Sequence, residues 1–316
     1  MPLVTLKSEL ENSTNVTIGT AVRLNAHTSF AIGGPATFFA FADSTEALSR
    51  LIAGAKRLDL ETLIIGGGTN LLVSDDGFDG LAIKMRLTDM DIDVATGVVR
   101  TQAGVPTARL VTKSVEQGLG GLAFAAGLPG TVGGALAGNA GCFGQCISDP
   151  LKEAQVVSPD GCIIRVKEKQ WFDFNYRHSK LKENGHVITE ATFALTPMSA
   201  ADIQREASQN IALRKEKHPP QGAHTAGSYF KNLSPETPGG RRRAAGLLLD
   251  QVDAKGLRVG GAAVFERHAN IIVNTGGATA RDVLSLAKEM QRRVKERFGV
   301  LLEPEVRFVG RRPVGL

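Results

Sequence analysis

Ile64-Ile65-Gly66-Gly67-Gly68-Thr69-Asn70-Leu71-Leu72-Val73 is the stretch on which the fold turns. Leu63-Ile64-Ile65 is a short apolar run that reads as a buried strand, and it enters three consecutive glycines. The Rossmann dinucleotide fingerprint is excluded. Gly66 and Gly68 fit its first two places, but Leu71 stands at the third and no helical pattern follows. No Gly-Lys-Ser/Thr occurs either, so the common triphosphate loop is absent. Three glycines before Thr69-Asn70 can still aim successive backbone N–H groups at an anion. That reading is favoured over a plain turn, which rarely needs three glycines in a row.

Short strands alternate with helices outward from this loop. Thr37 to Ala42 reads as a strand stopped by Asp43-Ser44, and Thr45 opens a helix with Leu48, Leu51, Ile52 and Ala55 at helical spacing. Leu71-Leu72-Val73 and Leu81-Ala82-Ile83 are strands separated by the turn residues Asp75-Asp76-Gly77. Thr107 to Gln117 is a helix with Leu110, Val111, Ser114 and Val115 on one side. Gln155 to Val157 and Ile163 to Val166 flank Pro159-Asp160-Gly161 as a hairpin. The pattern changes near residue 200. Ala200 to Lys217 is a polar helix stopped by Pro219-Pro220, and a glycine- and proline-rich loop is expected from Gln221 to Arg243. Asp282 to Phe298 is an amphipathic helix ended by Gly299, and Leu301 to Phe308 reads as the last strand.

At 316 residues the chain is long enough for two domains, and 42% apolar with 22% charged residues excludes disorder. Glycine is in excess, 36 residues, and ten of them crowd between Gly118 and Gly144, where backbone approaches something closely. From Gln117 to Ser148 there is no charge, yet Pro129, Asn139, Gln145 and the glycines interrupt every window long enough to span a bilayer. No secretory leader is visible at the start, and Cys142, Cys146 and Cys162 read as reduced thiols of a cytoplasmic protein. Neither the cysteines nor the six histidines have metal-ligand spacing, so no metal is expected. The net charge of +5 suits small anions as well as nucleic acid. Arg241-Arg242-Arg243 lacks interleaved aromatics and reads as a solvated loop.

Four further stretches could carry chemistry. Ala126 to Ala135 with Gly138 to Gly141 would let a flat ligand lie against backbone, or would pack helices closely; the residues alone do not choose. Arg177, beside Tyr176, could hold a carboxylate with two hydrogen bonds, although a surface arginine is the simpler reading. Ser228 precedes two aromatics, and Phe230 breaks the Gly-x-Ser-x-Gly elbow of hydrolases. It could relay a proton or cap a loop. Along the last strand Leu302, Val306 and Phe308 would face the core, with Glu303, Glu305 and Arg307 opposite, either as a solvated edge or lining a site.

Taken in order, these stretches resemble the flavin-dependent UDP-N-acetylenolpyruvoylglucosamine reductases of bacterial cell-wall synthesis. The resemblance runs from His27-Thr28-Ser29-Phe30-Ala31-Ile32-Gly33-Gly34-Pro35-Ala36 to Glu303-Pro304-Glu305-Val306-Arg307-Phe308. Between them come the Gly66 loop, Gly127-Leu128-Pro129-Gly130, Tyr176-Arg177-His178-Ser179, Gly227-Ser228-Tyr229-Phe230-Lys231-Asn232 and His268-Ala269-Asn270. Ala31 and Leu233 depart from the common pattern, outside the proposed chemistry. The short segment between Arg177 and Ser228 resembles the subclass without an extra tyrosine-bearing loop.

The resemblance implies an α+β (mixed α/β) chain with an FAD-binding fold of the vanillyl-alcohol-oxidase type and a smaller C-terminal substrate domain. Residues 1–200 would hold FAD in two subdomains divided near 86–97, residues 201–300 the substrate, and residues 301–316 would return to the active site. FAD would contact Gly66, Gly67, Gly68, Thr69, Asn70, Leu71, Gly127, Pro129, Gly130, Thr131, Gly133, Asn139 and Arg307. NADPH would be the reductant and UDP-N-acetylglucosamine enolpyruvate the substrate. Arg177 and Glu305 would stabilise the enol form and Ser228 would deliver the proton. Lys217, Tyr229, Lys231, Asn232, His268 and Asn270 would contact the substrate, in a cytoplasmic enzyme working as a monomer, with a dimer as the alternative. Two other functions fit less well: an FAD oxidoreductase of this fold with another substrate, and a catalytically silent nucleotide-sugar-binding regulator.

Overall fold

Ser44 starts the first long helix after the leading strands. Its hydroxyl accepts from Ala47 N–H at 3.0 Å, and Thr45–Arg57 buries the apolar stripe Leu48, Leu51, Ile52 and Ala55. The computed structural model describes residues 2–235, 237 and 240–315, except the side chain of Val166. The chain packs as two units, each around its own apolar core.

The first unit comprises residues 1–22, 37–67 and 79–213. Its four-stranded sheet runs in the order Gly19–Arg23, Pro35–Ala42, Phe78–Met85, Thr62–Ile65. The last two are parallel, with Ile65 opposite Lys84. A five-stranded antiparallel sheet begins at Met90, in the order Ile163–Glu168, Leu151–Val157, Val187–Ala194, Val98–Gln102, Met90–Asp93. The hairpin at Pro159-Asp160-Gly161 forms as its turn residues predict, with Gly161 at φ +89°. Helix Thr107–Glu116 buries the face read from its sequence. Helix Leu3–Thr14 had no strong sequence signal, and only Leu10 and Thr14 of it are buried.

The second unit comprises residues 23–36, 68–78 and 214–316. An antiparallel sheet in the order His224–Ser228, Ile271–Asn274, Ala262–Val264, Arg258–Val259 packs with helix Ala280–Phe298. Strand Leu71–Val73 pairs in parallel with Arg307–Val309. The division of the units falls within helix Ala200–Lys217.

Two expected elements differ. The loop expected over Gln221–Arg243 contains the strand His224–Ser228, built by pairing with a segment almost 50 residues later; Glu236, Pro238 and Gly239 of that loop lie outside the described residues. The last strand is shorter than read: only Arg307–Val309 is strand. Pro304 has no N–H to give a ladder, so the preceding residues are held by single backbone bonds instead. Among the described residues, no helix is long and apolar enough to cross a membrane.

Helix Ala280–Phe298 begins at a capping box between Thr279 and Asp282 and ends at Gly299 in the left-handed region, φ +68°. Asp75 adds a second anchor from a distant segment, accepting from Ala280 N–H at 2.7 Å and Arg281 N–H at 3.2 Å. Its negative charge also suits the helix N-terminus. Asp75→Ala is expected to remove about 1 kcal/mol, the usual worth of such a cap, and to lower the urea midpoint. An unchanged midpoint would contradict this anchoring role.

Candidate functional site

The first unit holds Gly66, Gly67, the Gly127–Asn139 stretch and Arg177. Gly66 leaves strand Thr62–Ile65 pressed against Thr131: a Cβ there would stand 2.5 Å from the Thr131 hydroxyl oxygen. Its carbonyl accepts a hydrogen bond from Lys84 Nζ. Burial, then the neighbouring charge of Arg86, lowers the Lys84 pKa. Sequence reasoning missed Lys84; its signal was a lone charge in the apolar stretch Leu81-Ala82-Ile83-Lys84-Met85 of strand Phe78–Met85.

Gly127 and Gly130 take positive φ, +74° and +111°, and Gly130 O accepts from Thr107 N–H at 3.0 Å. Pro129 lies between them. Thr131 heads the short helix Val132–Ala137 without a side-chain cap, and its buried hydroxyl has no partner. Gly133 packs on Ala103, with its N–H donating to Ala103 O at 2.9 Å. Asn139 is 4% exposed in the left-handed region, φ +42°. Its Nδ2 donates to Asn175 O at 3.0 Å, while its buried Oδ1 has no partner. Arg177 also takes positive φ, +54°, a strained value for a side-chain-bearing residue. Its Nη1 donates to Gly141 O at 3.2 Å.

The second unit holds Gly68 to Leu71, Ser228 and Glu305. Gly68, at φ +67°, has no room for a Cβ beside the His27 carbonyl, and its own carbonyl accepts from Ser29 N–H at 3.0 Å. Thr69 follows in the turn, and Leu71 pairs with Arg307. Asn70 ties the loop to the C-terminal segment: its Nδ2 donates to Glu305 O at 3.1 Å and its carbonyl accepts from Arg307 N–H at 3.0 Å.

Ser228 ends its strand beyond an irregularity. Thr225 faces Val273 but Ser228 faces Ile271, so one extra residue bulges out around Gly227, φ +75°. Such bulges re-aim side chains. Ser228 is half-buried, and its hydroxyl makes no hydrogen bond among the described residues. The next carbonyl, Tyr229 O, accepts from Glu305 N–H at 2.7 Å, and Lys231 N–H donates to Glu303 O at 2.8 Å. Ser228 and Glu305 are therefore brought together within this unit; Arg177 belongs to the other.

Several expected substrate contacts are engaged by the protein itself. Asn270 is 2% exposed; its Oδ1 accepts from Phe230 N–H at 2.9 Å, its Nδ2 donates to Phe230 O at 2.8 Å, and its carbonyl accepts from Tyr229 N–H at 2.7 Å. It clamps the segment after Ser228 rather than facing a ligand. Tyr229 is a core side chain, 3% exposed, its phenol pushed up to about 12 by burial. Lys231 pairs with Glu303, and Asn232 Oδ1 accepts from Ala245 N–H at 3.2 Å.

Lys217 is exposed, beside a pair of histidines: the His218 and His268 rings are 5.4 Å apart. His268 Nδ1 accepts from Asn270 N–H at 3.2 Å. Burial lowers both histidines, with the charge of Lys217 adding to the effect, and brings His218 to about 4.

Residues 36–167 match the family model for an FAD binding domain, and residues 219–309 that for the C-terminal domain of UDP-N-acetylenolpyruvoylglucosamine reductase. The reductase of Prochlorococcus marinus (strain MIT 9313) is 40% identical over 291 residues, 92% of either chain. That of Lachnoclostridium phytofermentans is 38% identical over 297 residues, 91% of either chain. The chain belongs to the UDP-N-acetylenolpyruvoylglucosamine reductase family. Among solved structures, the family's enzyme from Thermus caldophilus superposes with a TM-score of 0.77 at 32% identity, covering 93% of this chain and all of that one. The expected FAD-binding fold with a C-terminal α+β domain stands.

The donor set of the first unit fits that cofactor. A side-chain-free Gly66 lets an anion approach backbone, and the buried, unpartnered Thr131 Oγ1 and Asn139 Oδ1 offer a hydroxyl and an acceptor to polar groups of a flavin nucleotide.

The histidine pair sets a pH dependence. His218 is at about 4 in the folded chain against 6.5 ordinarily, so between these values the unfolded chain binds more protons. Stability falls as pH drops through that window and is unaffected above it. His218→Gln is expected to lose less thermal stability than the wild type between about pH 7 and about pH 4.5. Equal losses would show that His218 is not held neutral.

Proposed function

We propose that this chain reduces UDP-N-acetylglucosamine enolpyruvate to UDP-N-acetylmuramate at the expense of NADPH, a step of peptidoglycan precursor synthesis. The observation that carries this reading is the backbone pairing of Ser228's strand end with the Glu305 segment, in a chain of the reductase family. As a member of that family the chain is an FAD-dependent oxidoreductase. When bound, FAD would supply the two-electron hydride chemistry that links NADPH to the terminal vinyl carbon.

The protein's part is electrostatic and protonic. Addition at the vinyl carbon drives negative charge toward the enolpyruvyl carboxylate. The Arg177 guanidinium would hold that carboxylate through paired N–H groups, and Glu305 would assist in holding its enol form. The Ser228 Oγ–H would give its proton to the carbon next to the carboxylate and regain one from solvent. A serine hydroxyl is a weak acid, so its delivery depends on position, which the bulge at Gly227 and the Asn270 clamp supply. Lys217 would meet the substrate diphosphate, next to two histidines kept neutral. Gly66 to Asn70 would receive the FAD diphosphate and the Gly127–Asn139 stretch the flavin. Residues 1–200 would thus serve the cofactor, 201–300 the substrate, and 301–316 would bring Glu305, in a cytoplasmic monomer.

The purified enzyme is expected to consume NADPH in proportion to added enolpyruvyl sugar nucleotide. Ser228→Ala should cut turnover about 10²–10⁴-fold, the usual worth of a positioned acid, with flavin reduction by NADPH unchanged. Equal loss in both half-reactions would remove the proton-donor role. NADPH consumption indifferent to the sugar nucleotide would contradict the substrate.

A further inference from the structure

We propose that Lys84 is a positioning residue for the cofactor diphosphate: by holding the Gly66 carbonyl it aims the Gly67 N–H at that anion. This rests on the FAD reading above, and every residue it uses lies in the first unit.

Lys84 sits in the parallel pairing opposite Ile65, the last residue before the glycines. Its ammonium donates to Gly66 O. Among the described residues no peptide bond is cis, so the Gly66–Gly67 peptide is trans, and the carbonyl and N–H of a trans peptide point in opposite directions. Fixing the Gly66 carbonyl on the Lys84 side therefore turns the Gly67 N–H to the other side. Among the described residues, no acceptor takes that N–H. On the flank of Gly66, Thr131 stands where a Cβ would be, which prevents the α-carbon from rolling away.

The charge needs explaining as well. Lys84 is held within the apolar stretch Leu81-Ala82-Ile83-Lys84-Met85, near the like charge of Arg86, and burial lowers its pKa. Among the described residues, no carboxylate lies within ion-pair distance of it. A half-buried ammonium whose only partner is a carbonyl is costly to the fold alone, and a nearby diphosphate would offset that cost.

The test is FAD affinity of the flavin-stripped full chain, by quenching of FAD fluorescence, for the wild type and Lys84→Met, Lys84→Gln and Lys84→Arg, with the melting temperature of each apoprotein. Loss of a charge-assisted bond predicts that Lys84→Met weakens FAD binding about tenfold or more. Lys84→Gln, which keeps a donor without charge, should fall between, and Lys84→Arg should recover most of the loss. Wild-type salt sensitivity of binding should shrink in Lys84→Met and Lys84→Gln. Equal affinity of Lys84→Met and wild type would overturn the proposal. So would equal weakening in all three variants with lowered apoprotein melting, which marks a merely structural lysine. A wild type that binds no FAD would instead defeat the cofactor reading itself.

Discussion

Gly66 has no room for a side chain, because a Cβ there would stand 2.5 Å from the Thr131 hydroxyl. Much follows from this contact. Strand Thr62–Ile65 must hand over to a bare backbone turn, and the stretch around Thr131 must arrive from 65 residues later at the right height. The second glycine-rich stretch supplies that precision, with Gly127 and Gly130 turning at positive φ and Gly133 lying on Ala103. The charge-free run from Gln117 to Ser148 thus folds into short elements and tight glycine turns, not an apolar span.

The second unit solves a different problem with similar means. The proton-donor role proposed for Ser228 requires a serine held still while its hydroxyl stays uncommitted. Gly227 makes the bulge that turns Ser228, and Asn270 fastens the following residues with three hydrogen bonds. Pro304 keeps the C-terminal segment from zipping into a regular ladder, so Glu305 is placed by one N–H bond to Tyr229 O and one carbonyl bond from Asn70. Half-buried histidines with lowered pKa values flank the exposed Lys217 and add no positive charge beside it at neutral pH.

Most elements were legible because their signals are local. Ser44 and the stripe through Ala55, the Pro159-Asp160-Gly161 turn and the Val283–Val294 face all declare themselves within one window. What was hidden depends on distant partners. Strand His224–Ser228 lies in loop-like composition and exists through its pairing with Ile271–Asn274. Alternation suggested a long last strand, which Pro304 forbids. Burial is hidden in the same way: Tyr229 and Asn270 lie in polar-looking motifs yet are buried, shaping the segment that carries Ser228. Lys84 escaped notice because its partner is a carbonyl, which carries no sequence signature.

The most direct test of the account is the absorbance spectrum of the wild-type protein kept free of oxygen, with NADPH added first and UDP-N-acetylglucosamine enolpyruvate second. The flavin bands should bleach with NADPH and return with the enolpyruvyl sugar, leaving UDP-N-acetylmuramate in solution. Bands that bleach and stay bleached would contradict the assigned substrate, and a protein that cannot be loaded with FAD would contradict the assigned chemistry altogether.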